Sequence, residues 1–128
     1  DIIWFVDGDD WLLDSQAIAK ILECFQKEKC SMVRFGYKAT KWFDHPGYYS
    51  MVWQYAFKTT LIENITFPPI EPGEDNIFMD QVFARITKND MGCINDHLYF
   101  YNFLRKDSNM FKWFERAGDL EGIDLNEV

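Results

Sequence analysis

Cysteine, histidine and long apolar runs are all scarce in this sequence. Its 128 residues include 3 cysteines and 2 histidines, and the cysteines at positions 24, 30 and 93 lack the spacing of a zinc site. An odd number of such cysteines is typical of reduced thiols, so a cytoplasmic protein is expected. No run approaches the roughly 20 apolar residues of a membrane span, and no segment has the pattern of a secretory signal. Neither a span nor secretion is expected.

Positive charge is also in deficit. The chain has 13 lysines and arginines against 21 aspartates and glutamates, a net charge of -8. Nucleic-acid-binding proteins gain much of their affinity from basic surfaces, so nucleic acid is excluded as an expected partner. Anionic membrane surfaces are disfavoured for the same reason.

Aromatic residues, in contrast, are abundant at 18% of the chain. They build cores, and they also form platforms for planar rings and sugar faces. The length predicts a single domain over residues 1 to 128, with an acidic, solvated tail from about residue 115.

Three carboxylates follow directly after the first apolar run. Residues 2 to 6 predict a strand buried on both faces of a parallel sheet, and Asp7, Asp9 and Asp10 come next. Such a cluster repels itself unless a cation is bound. Magnesium and manganese ions are held by one or two carboxylates, with water and phosphates as the other ligands. The aspartate segment (residues 7 to 10) therefore predicts metal and phosphate chemistry, with a solvated turn as the alternative.

Two other kinds of carboxylate site share features with the aspartate segment. A calcium loop of the EF-hand type needs a glycine at its sixth position, where this chain has Leu12. That kind of site is excluded. A phosphatase of the haloacid dehalogenase type also begins with a strand and Asp-x-Asp, but usually continues with small residues instead of Trp11 and Leu12. It stays as a minor alternative.

Strands and helices alternate along the chain, which predicts an α/β fold. A helix begins after Asp14, with an apolar face at Ile18, Ile21, Leu22 and Phe25. The remaining predicted segments are strands at residues 33 to 38, 51 to 57 and 94 to 103, a loop at 40 to 50, a helix at 75 to 87, and a last helix after Ser108.

A second acidic motif opens the predicted helix at residues 75 to 87. Prolines and a glycine at residues 66 to 73 form a stiff loop directly before Glu74 and Asp75. Acidic residues in a first turn stabilise a helix by about 0.5–2 kcal/mol, which is the ordinary explanation. A rigid approach also fixes where a carboxylate points, so a general base for a hydroxyl nucleophile is the functional alternative.

The motifs, taken in order, resemble those of family-two glycosyltransferases with the glycosyltransferase A fold. Residues 3 to 12 are similar to that family's metal-binding segment, an apolar strand followed by Asp-Gly-Asp-Asp, an aromatic residue and leucine. Residues 73 to 78 are similar to its Gly-Glu-Asp-x-x-Phe segment. Residues 53 to 68 and 99 to 108 resemble intervening and later motifs in the same order. The resemblance covers nearly the whole chain.

This resemblance implies roles for the acidic residues. Asp7 would contact the nucleotide ribose or a metal-bound water, and Asp9 would ligate Mn²⁺ or Mg²⁺ at the donor diphosphate. Asp10 would support this site or cap the next turn. Asp75 would be the general base for an acceptor hydroxyl, and Glu74 would position the acceptor. The implied partners are a nucleotide-diphosphate sugar and a glycan or lipid-linked acceptor, with mostly inverting transfer.

Two tryptophans are further candidates for binding the sugar. Trp11 and Trp53 could each stack on a sugar face, with a core position as the alternative for both. Asn102 stands where the family often has arginine, and Arg105 or Lys106 is the expected substitute.

The family's first half, which grips the nucleotide base, has no counterpart in this sequence. The expected fold is therefore the C-terminal portion of a glycosyltransferase A domain, a mixed sheet flanked by helices with the N-terminal half missing. The chain is expected to have little or no activity alone. A bacterial polysaccharide pathway at the inner face of the membrane is the expected setting. The alternative is a non-catalytic binding or assembly module that pairs with a second copy as a homo-oligomer.

Overall fold

A computed structural model describes residues 1–39, 51–70, 73–102 and 112 of the chain. The predicted loop at residues 40 to 50, the predicted last helix and the acidic tail lie outside the described residues, apart from Lys112. The same holds for Arg105 and Lys106.

Strands and helices alternate in the described ranges, as the sequence predicts. The helices are α1 (Ala17–Glu28) and α2 (Glu74–Phe83), and two short 3-10 turns lie at Val52–Gln54 and Lys88–Asp90. The five strands are β1 (Ile2–Trp4), β2 (Trp11–Leu12), β3 (Met32–Ala39), β4 (Tyr55–Lys58) and β5 (Met91–Tyr101). In these ranges no helix combines the length and the apolar character that a membrane crossing needs.

The strands form one mixed sheet in the order β1-β4-β3-β5-β2. Strands β3 and β5 are parallel, whereas the other pairs are antiparallel. The β3–β5 register shifts on either side of Gly36, where β5 contributes extra residues. Such irregularities bend a strand. The predicted mixed sheet flanked by helices is confirmed.

The first strand differs from its prediction. β1 pairs antiparallel with β4, with Ile3 opposite Phe57, and it lies at one edge of the sheet in the described part of the chain. Ile3 and Val6 are exposed. The prediction of a parallel strand buried on both faces is therefore wrong here. A short apolar run does not reveal its partner strand, because pairing joins residues that are far apart in sequence.

The sheet separates two hydrophobic cores. Successive strand residues point to opposite faces, so Val33 faces α1 while its neighbour Met32 faces α2. The α1 face is built mainly from α1, β3 and the aromatic end of β5, with buried residues that include Ile21, Phe25, Phe35, Trp53, Leu98 and Tyr99. The α2 face includes Tyr55, Phe57, Leu61, Phe78, Met79 and Val82.

Helix α1 packs through a different stripe from the predicted one. Ile18 and Leu22 are 62% and 45% exposed, so their predicted core positions are wrong. Close packing between α1 and β5 explains the shift. A Cβ added at Gly92 of β5 would lie only 2.8 Å from Cys24 Sγ of α1. Close approach to the sheet therefore favours small side chains on the inner face. The buried residues of α1 are Ala17, Ile21, Cys24 and Phe25.

Candidate active site in a carboxylate-lined cleft

A cleft of about 700 Å³ opens between the end of β1 and the start of α2. Its carboxylates come from both acidic motifs: Asp7, Glu74 and Asp75 line it together. The rest of the wall is apolar and consists of Phe5, Val6, Val52, Phe67, Pro68, Pro69 and Ile70. The structure thus brings together Asp7, Glu74 and Asp75, three of the residues that the sequence predicts for the site.

Asp75 is held in the first turn of α2. Gly73 precedes the helix with φ at 111°, a left-handed conformation that strains residues with a side chain. The backbone N–H of Val52 donates a hydrogen bond to Asp75 Oδ2 at 3.1 Å. Burial raises the pKa of Asp75 to about 6, the negative charge of Glu74 adds to the increase, and the bond from Val52 opposes it. The group is ionised at neutral pH yet close to the range where a general base works well.

One carboxylate oxygen of Glu74 is buried beside the cleft. Its Oε2 atom accepts no hydrogen bond from the described residues. A buried carboxylate oxygen without a partner is unfavourable, so this atom is suited to accept a hydrogen bond from a bound molecule.

The pKa of Asp7 is affected by charges from both acidic motifs. Partial desolvation is the main cause that raises its pKa to about 6, and the negative charges of Asp75, Asp9 and Glu74 each raise it further. The side chain itself remains accessible to solvent. Asp9 lies in the same turn but does not line the cleft. The result is a concentration of negative potential at the mouth of the cleft, where a cation would be favoured.

Both carboxylate oxygens of Asp10 already accept hydrogen bonds within the chain. The Tyr99 hydroxyl donates to Asp10 Oδ2, and the Asn102 backbone N–H donates to Oδ1 at 2.8 Å. Burial raises the pKa of Asp10 to about 6, although these two hydrogen bonds oppose the increase. Its bonding fits the supporting role that the resemblance implies.

The two tryptophans differ in position. Trp53 is 1% exposed, its ring stacks on Tyr99 with centroids 4.6 Å apart, and Trp4 Nε1 donates to its carbonyl oxygen at 2.8 Å. The prediction that Trp53 stacks on a sugar is therefore wrong, because no face of the ring is open. Trp11 is 48% exposed and stacks on Phe100 at 4.3 Å, outside the cleft lining. Its sugar-binding role stays a prediction.

The carboxylates present fit only one kind of metal site. Within the described ranges, no group of three or more histidine, cysteine, aspartate or glutamate side chains could hold an ion by itself. Asp7 and Asp9 offer one or two carboxylates. That is the protein's usual share for Mg²⁺ or Mn²⁺ when phosphates and water complete the coordination. The donor set fits a cation shared with a diphosphate and does not fit a site closed by protein ligands.

Two features beside the carboxylates are not predicted from the sequence. Tyr99 is predicted only as one residue of an aromatic strand, and its bond to Asp10 joins positions 89 residues apart. Phe67 and Ile70 line the apolar wall, although their stretch is predicted only as a stiff loop. In the sequence, the tyrosines at 99 and 101 and the apolar residues beside the prolines are the features that point to these two parts.

Comparison with known proteins identifies the fold. No protein-family model matches the chain, and no curated protein sequence does. Crystal structures of S. aureus TarS do match. The complex of TarS 1-349 with UDP-GlcNAc has a TM-score of 0.73 and 16% identity, covering 85% of this chain and 36% of that chain. The complex with UDP has a TM-score of 0.69 and 15% identity, covering 98% and 52%.

A longer TarS structure matches at a TM-score of 0.69 with 13% identity, covering 98% of this chain and 26% of that one. The chain thus spans about half or less of the structures it matches. At these identities the likeness concerns the fold alone. The chain has the α/β fold of the TarS glycosyltransferase over most of its length.

Proposed function

We propose that this chain forms the metal and acceptor part of a nucleotide-sugar glycosyltransferase site. The observation that carries the proposal is the single cleft in which Asp7 meets Glu74 and Asp75. The likeness to TarS, whose structures include UDP and UDP-GlcNAc complexes, supports a nucleotide-sugar donor. Family-two membership and a role in bacterial polysaccharide synthesis at the cytoplasmic side of the membrane are part of the proposal.

The donor would be held at the aspartate segment. Asp7 and Asp9 would hold Mn²⁺ or Mg²⁺ together with the diphosphate of the sugar nucleotide. The bound ion would supply positive charge that stabilises the departing nucleoside diphosphate. Burial is the main cause that raises the pKa of Asp7, and repulsion from Asp75 and Asp9 adds to it. This repulsion supports the role because a cation would relieve it.

The acceptor would occupy the cleft beside α2. Its hydroxyl oxygen attacks the anomeric carbon as the bond from that carbon to the diphosphate breaks, and the hydroxyl proton passes to Asp75. One displacement of this kind inverts the anomeric carbon. Oε2 of Glu74, which has no donor among the described residues, would accept a hydrogen bond from a second acceptor hydroxyl. The apolar wall would contact the carbon faces of a glycan or of a lipid-linked acceptor.

Transfer would need more polypeptide than this chain. The TarS structures that it matches are about two to four times longer, so the grip on the nucleotide base is assigned to a region outside residues 1 to 128. The isolated chain would then bind Mn²⁺ and UDP weakly and transfer sugar slowly or not at all.

The test is sugar transfer and donor hydrolysis by a polypeptide in which this chain is joined to a nucleotide-binding half. A panel of sugar nucleotides would be assayed with Mn²⁺ and with chelator. Asp75→Asn is expected to lose at least about 100-fold in turnover, since a general base contributes 10²–10⁴-fold. Asp80→Asn makes the same change at an exposed position of α2 and serves as the matched control. Full transfer by Asp75→Asn would refute the proposal.

An assembly role is the second candidate. The edge strand β1 and the exposed side chains of Ile3 and Val6 favour it, because unpaired strand edges recruit further strands. Light scattering over a range of concentrations distinguishes the two functions. A strict monomer that binds Mn²⁺ and UDP would exclude the assembly role.

A further inference from the structure

The aspartate segment is a turn docked on the end of β5. The N–H of Asp10 donates to the Asp7 carbonyl at 3.1 Å, which closes the turn. Beyond it, β2 pairs antiparallel with β5, and the N–H of Leu13 donates to the Leu98 carbonyl at 3.0 Å. The backbone on the C-terminal side of the turn is therefore fixed by ordinary sheet pairing.

On the N-terminal side, where the pairing of β1 with β4 ends at Trp4, the Asp7 N–H is bonded by one side chain. The hydroxyl of Tyr99 accepts a hydrogen bond from the Asp7 N–H at 3.2 Å and donates one to Asp10 Oδ2. An amide N–H can only donate and an ionised carboxylate can only accept, so the hydroxyl has a single orientation that satisfies both. One oxygen atom thus links the first and last residues of the aspartate segment.

The ring that carries this hydroxyl is closely packed. Tyr99 is fully buried, and its ring lies parallel to that of Trp53, with an interplanar angle of 6°. Trp53 is buried as well and also contacts the rings of Tyr37 and Tyr101. The hydroxyl position is therefore set by the hydrophobic core on the α1 face, not by the cleft.

We propose that Tyr99 is a positioning residue whose hydroxyl fixes the backbone at Asp7 and thereby the direction in which the Asp7 carboxylate enters the cleft. This inference rests on the proposed function for the meaning of that direction, namely metal and diphosphate binding. Tyr99 itself lies outside the cleft lining and touches no expected substrate. Groups that orient a metal ligand commonly change metal affinity 10–100-fold when they are removed.

The test compares Tyr99→Phe with the unmodified chain. Phenylalanine keeps the ring stack on Trp53 and removes only the oxygen. Amide hydrogen exchange of Asp7, followed by NMR, is expected to become at least 10-fold faster. The affinity for Mn²⁺ in the presence of UDP, measured by electron paramagnetic resonance, is expected to fall about 10-fold.

Two further variants make the test specific. Tyr55→Phe removes a hydroxyl from a buried tyrosine on the opposite face of the sheet and is expected to change neither quantity. Asp10→Asn keeps the Tyr99 hydroxyl but weakens its charged partner. It is expected to speed Asp7 exchange by less than Tyr99→Phe does, and it provides a readout if Tyr99→Phe fails to fold.

The outcomes separate this inference from the proposed function. Unchanged Asp7 exchange in Tyr99→Phe, unchanged Mn²⁺ affinity despite faster exchange, or equal losses in Tyr55→Phe would each overturn the positioning role. If the chain joined to a nucleotide-binding half binds no Mn²⁺ with UDP, the metal part of the proposed function fails. Selectively faster Asp7 exchange in Tyr99→Phe would still support the control of the Asp7 backbone by Tyr99.

Discussion

The two faces of the sheet differ in what they leave open. On the α1 face, aromatic rings close the surface: Phe35, Trp53 and Tyr99 are all buried, and Trp53 stacks on Tyr99. On the α2 face, a comparable core lies beneath a cleft whose mouth carries Asp7, Glu74 and Asp75. One face is closed by packed rings, and the other has an open cleft lined by carboxylates.

The contrast explains why the chain is rich in aromatic residues. Most of the rings in the described residues contact one another, as in the stacked Trp53–Tyr99 and Phe67–Phe78 pairs. Tyr99 links the two faces, because its ring packs in the core on the α1 face and its hydroxyl bonds the aspartate segment. The packed core on the α1 face thus holds the ring whose hydroxyl bonds the aspartate segment.

The largest expected effect separates the two acidic motifs within the cleft. In the proposed transferase, Asp75→Asn should lower kcat about 10²–10⁴-fold with little change in the donor KM, because it removes the base. Asp7→Asn should raise the donor KM and the Mn²⁺ requirement. Steady-state kinetics at several Mn²⁺ concentrations measures both. Identical kinetic changes in the two variants would contradict separate roles.

The next effect compares a closed-face ring with a cleft ring. Trp53→Ala should lower the free energy of unfolding by about 3–5 kcal/mol, since it leaves a cavity among buried rings. Phe67→Ala should cost roughly 1–2 kcal/mol, because Phe67 is partly exposed although it stacks on Phe78 at 4.3 Å. Urea unfolding measures both changes. A larger loss in Phe67→Ala would reverse the assignment of the closed face.

A smaller effect concerns pH. The native pKa of Asp75 is raised from 3.8 to about 6, mainly by burial, so the folded state binds more protons than the unfolded state between these values. Stability from this group therefore rises as the pH falls from 7.5 through 6 towards 4. In metal-free buffer, Asp75→Asn should be more stable than the unmodified chain at pH 7.5 by on the order of 1 kcal/mol.

The same variant should lose its advantage in acid. At pH 4 and below, Asp75 is protonated in the folded state and the stabilities should converge. Thermal unfolding at a series of pH values measures the difference. A variant that is less stable at pH 7.5, or equally more stable at both pH values, would show that burial does not penalise this carboxylate.

The smallest effect lies on the outer side of α1. Ile18→Lys should change the free energy of unfolding by less than about 0.5 kcal/mol, because Ile18 is largely exposed. Ile21→Lys, three residues later on the buried side, should be strongly destabilising. Urea unfolding again measures both, and a large loss in Ile18→Lys would place that side chain in an interface.

Local patterns in the sequence predict the elements better than their partners. The alternation at residues 33 to 38 correctly indicates β3, and the apolar spacing near residues 79 and 82 correctly indicates α2. The family resemblance, not a local pattern, implies that Asp7, Glu74 and Asp75 share a site, and the three residues do line one cleft. The edge position of β1 and the rotation of α1 are not predictable in this way, because strand pairing and the space beside Gly92 depend on residues distant in sequence.

Side chains that serve either face are the hardest to assign. Trp53 has a ring of the kind that stacks on sugars, yet in the structure it contacts the rings of Tyr99, Tyr37 and Tyr101. The hydroxyl of Tyr99 reaches Asp10 only because the end of β5 lies beside the aspartate segment. Burial and contacts of this kind arise from the folded sheet, not from any local period.

The most direct test of the central claim is paramagnetic broadening of the chain's NMR signals by Mn²⁺ added with UDP. The amides of residues 7 to 10 and of Glu74 and Asp75 are expected to broaden selectively, whereas those of Cys24 and Phe25 on the α1 face are expected to be unaffected. Broadening that spares the cleft, or that is equal on both faces, would contradict a metal and diphosphate site where the two acidic motifs meet.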